Sequence, residues 1–304
     1  MLRALFGFIG FLFLYTKLKS IVLYIFNLIY GPKRNLTAIY GKDSYVLVTG
    51  GSEGIGEAIA HEFAARGFNL ILVARSVDKL QKAKEGVVAK YPKCKVITVS
   101  FDFNEIDKPE NFDLEKAFKL KLSELDISVV VNNVGIGRSG LFYECDEESI
   151  KRMIKVNIVP EVLLVRYFIT LFNKRKNRSA FWNVSSQSAL KTLPLYDTYA
   201  ASKLFNKQFS ESIGFFYSNI DFYTFVPGFV TTRLTNFNTK GNSVVNPEES
   251  AKGAMNNFGS YRYIFYGHWK HEGMGFLLNL VPEWLLAKFI MANRAKYTKK
   301  KPSE

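Results

Sequence analysis

The chain has 304 residues, 48% hydrophobic and 15% aromatic, enough for one large domain with a sizeable core and appendages. Its formal net charge of +14 calls for an anionic partner. No recognised nucleic-acid motif accompanies that charge, so nucleic acid is set aside in favour of a membrane surface or an anionic substrate. Cys94 and Cys145, the only cysteines, lack metal-ligand spacing and read as reduced thiols in a cytosol-facing domain, so no metal site is expected.

Two apolar runs open the chain, residues 4–16 and 21–30, separated by Lys17-Leu18-Lys19-Ser20. Neither alone supplies the roughly 20 residues a spanning helix needs, whereas joined they make a helix of about 40 Å against a hydrocarbon core of about 30 Å. A single span over residues 11–30 leaves both lysines off-centre, where their stems can snorkel. A shallow hairpin puts them among the headgroups instead. Residues 1–32 therefore read as a membrane anchor. A cleaved signal peptide fits less well, because a small-x-small cleavage site is lacking and more apolar chain follows. Gly31-Pro32-Lys33-Arg34 breaks the segment, and its basic pair, with Lys42, places what lies beyond the 33–43 linker in the cytosol.

From residue 44 short apolar runs alternate with longer periodic ones. The pattern predicts strands at 45–48, 70–74, 96–100, 129–132, 180–184 and 221–225, helices at 77–90, 147–172 and 199–216, and a seventh strand near 263–265. Such alternation implies an α/β domain over 44–258: a doubly wound, Rossmann-type parallel sheet with helices on both faces. The remainder, 259–304, reads as an extension. Its apolar stretch 274–291 is interrupted by Pro282-Glu283, which favours an interfacial helix over a span. Arg294, Lys296, Lys299, Lys300 and Lys301 then form a basic tail suited to anionic lipid.

The most informative stretch is Thr49-Gly50-Gly51-Ser52-Glu53-Gly54-Ile55-Gly56, between the apolar run 45–48 and a helical pattern from Glu57. Strand, glycine turn and helix in that order form a phosphate-cradling unit, because glycines let the backbone approach a pyrophosphate whose charge meets the helix N-terminus. Tyr199 and Lys203, four apart on an expected helix, project from one face. A Tyr near pKa ~10 is a poor acid at neutral pH. A fixed ammonium favours its phenolate and eases proton exchange. Ser186, thirteen residues before Tyr199 at a strand end, can hydrogen-bond the carbonyl oxygen that the tyrosine protonates.

Together these residues resemble the short-chain dehydrogenase/reductases across roughly residues 44–230. The glycine stretch is similar to the family's cofactor motif and Asn132-Asn133-Val134-Gly135 to its fourth-strand motif. Ser186, Tyr199 and Lys203 match the catalytic triad. Asn157 matches the helix asparagine that completes the tetrad by holding a proton-relay water. Pro227-Gly228, with Thr231 and Thr232, matches the segment closing over nicotinamide. The resemblance implies that Tyr199 is general acid toward a ketone, that Ser186 polarises it, and that Lys203 binds the nicotinamide ribose. It implies cofactor contacts from Thr49, Gly50, Ser52, Gly54, Ile55, Gly56, Asn132, Tyr199, Lys203, Pro227, Gly228 and Thr231, and from Asp102 as the adenine-contacting acid. At the second-strand end, where an acid would bind the free ribose of NAD, Ala74 precedes Arg75, which can accommodate a 2′-phosphate, so NADPH/NADP+ is the expected cofactor. Glu53 departs from the NADPH enzymes that carry a base beside the second motif glycine, which leaves more to Arg75.

A closer resemblance is to the membrane-bound very-long-chain 3-oxoacyl-CoA reductases and steroid 17-ketoreductases. It rests on Gly67-Phe68-Asn69-Leu70, Val134, Pro227-Gly228-Phe229-Val230-Thr231-Thr232 and Gly267-His268-Trp269. It implies reduction of a long-chain 3-oxoacyl-CoA in fatty-acid elongation, at the endoplasmic reticulum membrane with the catalytic domain facing the cytosol. A steroid 17-ketone or 3-ketosphinganine stays open as substrate, as does an accessory role in a membrane complex. His268 and His271 read as partly exposed hydrogen-bonding side chains without a catalytic role.

Overall fold

Seven strands form one parallel sheet: β1 Tyr45–Thr49, β2 Asn69–Ala74, β3 Val96–Ser100, β4 Ile127–Asn132, β5 Ser179–Val184, β6 Ile220–Phe225 and β7 Ile264–Phe265. The computed structural model describes residues 2–31, 34–236, 241–260 and 263–293. The basic tail of Arg294, Lys296, Lys299, Lys300 and Lys301 lies outside the described residues. The helices are α1 Leu2–Tyr30, α2 Leu36–Tyr40, α3 Gly54–Ala64, α4 Val77–Lys90, α5 Leu114–Phe118, α6 Glu147–Phe172, α7 Asp197–Gly214, α8 Pro247–Met255, α9 Trp269–Leu280 and α10 Glu283–Ala292.

Strand order is β3-β2-β1-β4-β5-β6-β7, and the order reverses between β1 and β4. In such a sheet the crevice outside the carboxyl ends of these two strands is where ligands bind. Because helices cover both faces, β2, β4, β5 and β6 are buried at every position, and they are apolar throughout most of their length. Val46, Val48 and Trp182 pack with α3, α4 and α8 on one face, while Leu47, Val130 and Phe181 pack with α5 and α6 on the other. Trp182 stacks on Phe258 at 5.1 Å and meets Phe63 edge-on at 5.8 Å.

Helix α6 spans the residues expected of it, entered through Asp146, whose side chain accepts from Ser149 N at 2.7 Å. Helix α7 begins two residues earlier than the periodicity predicts and stops at Gly214, where an added Cβ would lie 3.2 Å from Phe222. Within the 33–43 stretch α2 buries Leu36 and Tyr40, and the Tyr40 hydroxyl donates to Asp221 at 2.9 Å, which joins it to the bottom of β6.

Helix α1 runs unbroken for 29 residues through the lysine-containing segment, so a hairpin does not form there. Among the described residues no single helix is long and apolar enough to cross a membrane. The pair α9 and α10, bent by 111° at the expected Pro282 break, passes that test by length and composition only. The last turn of α1 is tied to the sheet domain. Asn27 donates to the Asn257 side chain at 3.2 Å, and Arg34 donates to the Asn256 carbonyl at 2.7 Å. A side chain at Gly31 would overlap that same carbonyl.

Candidate active site

The glycine turn leaves β1 at its carboxyl end and enters α3. Gly50 and Gly54 sit at φ +63° and +64°, a region L side chains rarely adopt. Gly56 is required for space, since a Cβ there would overlap the Gly50 carbonyl oxygen and lie 2.5 Å from Asn133 Nδ2. The turn is held from the next strand. Thr49 Oγ1 accepts from Asn133 N at 2.9 Å and Val134 N at 3.0 Å, and donates to Val131 O at 3.1 Å. Asn133 Nδ2 donates to Thr49 O at 2.9 Å and Gly50 O at 3.3 Å. Fully enclosed and hydrogen-bonded to capacity, Thr49 shapes the cradle and has nothing left for a ligand. Ser52 and Ile55 are half-buried on the turn and the first turn of α3.

Ala74 ends β2 buried, and Arg75 emerges beyond it exposed, its guanidinium in no ion pair among the described residues. Glu53, at the N-cap of α3, is met by Lys79 at 2.6 Å and Arg233 at 3.7 Å, so its charge is neutralised beside the cradle. Asp102 follows β3 and accepts from Asn104 N at 2.9 Å, so one oxygen caps a short turn while the carboxylate stays exposed. Asn132 ends β4, pairing with Asn183 of β5 at 2.7 Å.

Beyond β5, Ser186 caps the turn 187–189, accepting from Ser188 N at 3.2 Å, and its hydroxyl lies beside Tyr199 at the start of α7. Burial pushes the Tyr199 phenol up, and the Ser186 hydroxyl works against that. Lys203 donates to the Val184 carbonyl at 2.9 Å. Its ammonium is 4% exposed as a residue, and burial lowers its pKa to about 8. Asn157 accepts from Ile136 N at 2.8 Å and donates to Ile136 O and Ser202 Oγ, both at 2.9 Å, so α6, α7 and the loop after β4 are stitched at one point. A Cβ on Gly135 would lie 3.2 Å from Lys203 Nζ and 3.3 Å from Asn157 Oδ1, which places both at the same spot. Ser186, Tyr199, Lys203 and Asn157 therefore converge at the carboxyl ends of β4 and β5. Beside Tyr199 a shallow cleft, open to solvent, is lined by Arg138, Ile150, Met153, Leu195 and Thr198.

The segment after β6 closes the other side. Pro227 accepts from Gln187 N at 2.9 Å, and Thr231 N donates to Val245 O at 2.9 Å. A Cβ on Gly54 would meet Thr232 at 3.2 Å, so this segment lies over the glycine turn. Gly228 is pressed so closely that a Cβ would sit 2.5 Å from both Gln187 and His271. His271, expected to be partly exposed, is fully buried: α9 packs over this segment, and its Nε2 lies 3.2 Å from Phe229 O and 3.0 Å from Ser243 O. His268 is partly exposed, as expected. Sequence reasoning assigned no part to Asn133, Lys79 or Glu161. Asn133 stood inside a quoted motif, and Glu161 was signalled only by an acid on the otherwise apolar stripe of α6. Lys79 had no signal.

The chain belongs to the short-chain dehydrogenase family, whose model matches residues 44–243, and it is an oxidoreductase of that family. It is 33% identical over 291 residues to a very-long-chain 3-oxoacyl-CoA reductase-like protein of Arabidopsis thaliana, covering 92% of this chain and 89% of that protein. It is 29% identical over 270 residues to the very-long-chain 3-oxoacyl-CoA reductase of Homo sapiens, covering 86% and 84%. Among solved structures, a short-chain dehydrogenase from Sphingobium yanoikuyae in complex with NADPH superposes with TM-score 0.68 at 20% identity, covering 86% of this chain and 98% of that one. A family member from Burkholderia phymatum in complex with NAD gives 0.66 at 17%, with the same coverage. Fold likeness thus accompanies either nicotinamide cofactor.

Proposed function

We propose that this protein is an NADPH-dependent ketoreductase acting on a membrane-derived lipid substrate, a long-chain 3-oxoacyl-CoA in fatty-acid elongation. The observation that carries the reductase reading is the convergence of Ser186, Tyr199, Lys203 and Asn157 beside a glycine cradle at the sheet's switch point. The residues fit a dinucleotide: the cradle excludes a side chain at Gly56, and the N-terminus of α3 faces the crevice. Gly50, Ser52, Gly54, Ile55 and Gly56 would hold the pyrophosphate, with Thr49 fixing their turn. Arg75, with Lys79 near, would meet the 2′-phosphate, Asp102 the adenine, Lys203 and Tyr199 the ribose, and Asn132, Pro227, Gly228 and Thr231 the nicotinamide side. When bound, the nicotinamide supplies the hydride.

The ketone oxygen takes its proton from Tyr199 Oη, and Ser186 Oγ holds the same oxygen in place. Lys203 contributes its charge to the ribose side of the site, while Asn157 fixes the loop through Ile136. The names of the relatives, the basic balance of the chain and the exposed apolar side chains of α1, α9 and α10 support a CoA-borne acyl substrate met at a membrane. The α1 segment is read as the anchor, in the endoplasmic reticulum membrane with the sheet domain in the cytosol. One NADPH assay of detergent-solubilised protein tests the reading, with long 3-oxoacyl-CoA, acetoacetyl-CoA, a 17-ketosteroid and 3-ketosphinganine side by side. The long acyl-CoA should have the highest kcat/KM. Preference for the steroid or the sphingoid base keeps the mechanism and overturns the elongation role. No turnover with any ketone overturns both in favour of an accessory subunit.

A further inference from the structure

Helices α6 and α7 follow neighbouring parallel strands and lie side by side, joined where Asn157 donates to Ser202 at 2.9 Å. One turn further along each helix, Glu161 on α6 and Asn206 on α7 are 3% and 2% exposed. Both carboxyl oxygens of Glu161 and the amide oxygen of Asn206 have no hydrogen-bond partner. The stripe that carries Glu161 inward is otherwise apolar apart from Asn157, with Met153, Val156, Leu164, Val165 and Phe168 on it. An isolated carboxylate in such a place is costly unless a cation lies close. The cation brought to this part of α6 is Lys203, whose Nζ lies against Gly135 beside Asn157 Oδ1, one turn before Glu161, and its charge opposes the rise of the Glu161 carboxyl. The other polar groups buried on these elements, Asn206 and Ser210 on α7 and Asn132 and Asn183 on the sheet, are uncharged, and Lys207 is engaged by Glu211 at 2.9 Å.

We propose that Glu161 is a positioning residue for Lys203, a buried carboxyl one helical turn behind the tetrad that keeps the lysine in its ammonium form. Burial pushes the Glu161 carboxyl well up and Lys203 down to about 8, and the two charges oppose both shifts. Once ionised, the Glu161 carboxylate stabilises the ammonium of Lys203. With a neutral side chain at 161 no carboxylate forms, and Lys203 loses its charge at lower pH.

The activity arm of the test rests on the ketoreductase reading; the binding arm rests only on its nicotinamide-cofactor part. NADPH binding is followed by fluorescence from pH 6 to 10 in the full-length protein and in Glu161→Gln, Glu161→Met and Glu161→Asp, with thermal melts to establish folding. In wild type the affinity should fall through a limb near pH 8. In the Gln and Met variants that limb should lie about one pH unit lower, with affinity unchanged at pH 6, and Asp should restore it. The pH profile of kcat/KM for the cofactor should move in parallel. Should Gln fail to fold, Met, whose unbranched apolar side chain suits the stripe, carries the same comparison. Coincident profiles, an affinity lowered equally at every pH, or a wild type flat from pH 6 to 10 would overturn the assignment. A shifted binding limb without turnover on any ketone leaves this assignment standing and removes the ketoreductase reading.

Discussion

Thr49→Val probes how the cofactor cradle is built. The side chains are close in volume, so the substitution removes three hydrogen bonds and little packing. In wild type the hydroxyl serves Asn133 N, Val134 N and Val131 O at 2.9, 3.0 and 3.1 Å with no exposure to solvent. Valine strands two donors, and an unmet buried group costs about 1–3 kcal/mol. Asn133 and Val134 are only half-buried, so water relieves part of that and the loss should be about 2–4 kcal/mol. For a domain of this size each kcal/mol moves Tm by about 2–4 °C, which gives a fall of about 4–16 °C. Circular dichroism melts of detergent-solubilised protein at one scan rate would read it. Thr49→Ser keeps the hydroxyl and should lose about 1 kcal/mol for its missing methyl. NADPH affinity should fall in the valine variant and not in the serine variant, because Asn133 also holds the Thr49 and Gly50 carbonyls. A valine variant that melts within a degree of wild type, or a serine variant as damaged as valine, would refute the reasoning.

Tyr199→Phe deletes only the proposed proton donor; ketone reduction should drop roughly a hundredfold or more while NADPH still binds, and near-normal turnover would unseat Tyr199 as acid. Ala74→Asp sets a carboxylate beside Arg75, where a phosphate contact is worth about 1.5–3 kcal/mol, so the NADPH preference should erode by about 10–150-fold in kcat/KM ratios. Equal kcat/KM for NADPH and NADH in the unmodified protein would remove that argument. The sequons at Asn35, whose side chain caps α2, and at Asn177, which is exposed, should stay unglycosylated in cells if the domain faces the cytosol; a glycosidase-sensitive mass shift at Asn177 reverses the orientation.

The alternation of strands and helices was legible because burial on two faces writes itself into local patterns. Residues 96–100 and 147–172 came out with the bounds expected, the latter helped by the Asp146 cap. β4 and α7 each begin two residues earlier than expected, since pairing with Tyr45 extends the one and the turn at Tyr196 opens the other. The tetrad and the glycine turn were legible too, because each depends on residue types at short, fixed spacings. His271 was not: nothing local to it reveals that α9 folds over Gly228 and removes it from solvent.

Sequence alone singled out the residues proposed to carry the chemistry and where the backbone needs glycine, because periodicity, positive φ and helical spacing are properties of neighbours in the chain. Tertiary structure decided what those residues experience. The Tyr199 phenol is raised by burial and opposed through Ser186, and the Lys203 charge is set by desolvation against Glu161, 42 positions earlier in the chain. Thr49 turned from ligand contact to buttress because β4 lies beside β1. Solvation and through-space charge depend on distances between segments far apart in sequence, and those distances exist only once the sheet has brought the strand ends together.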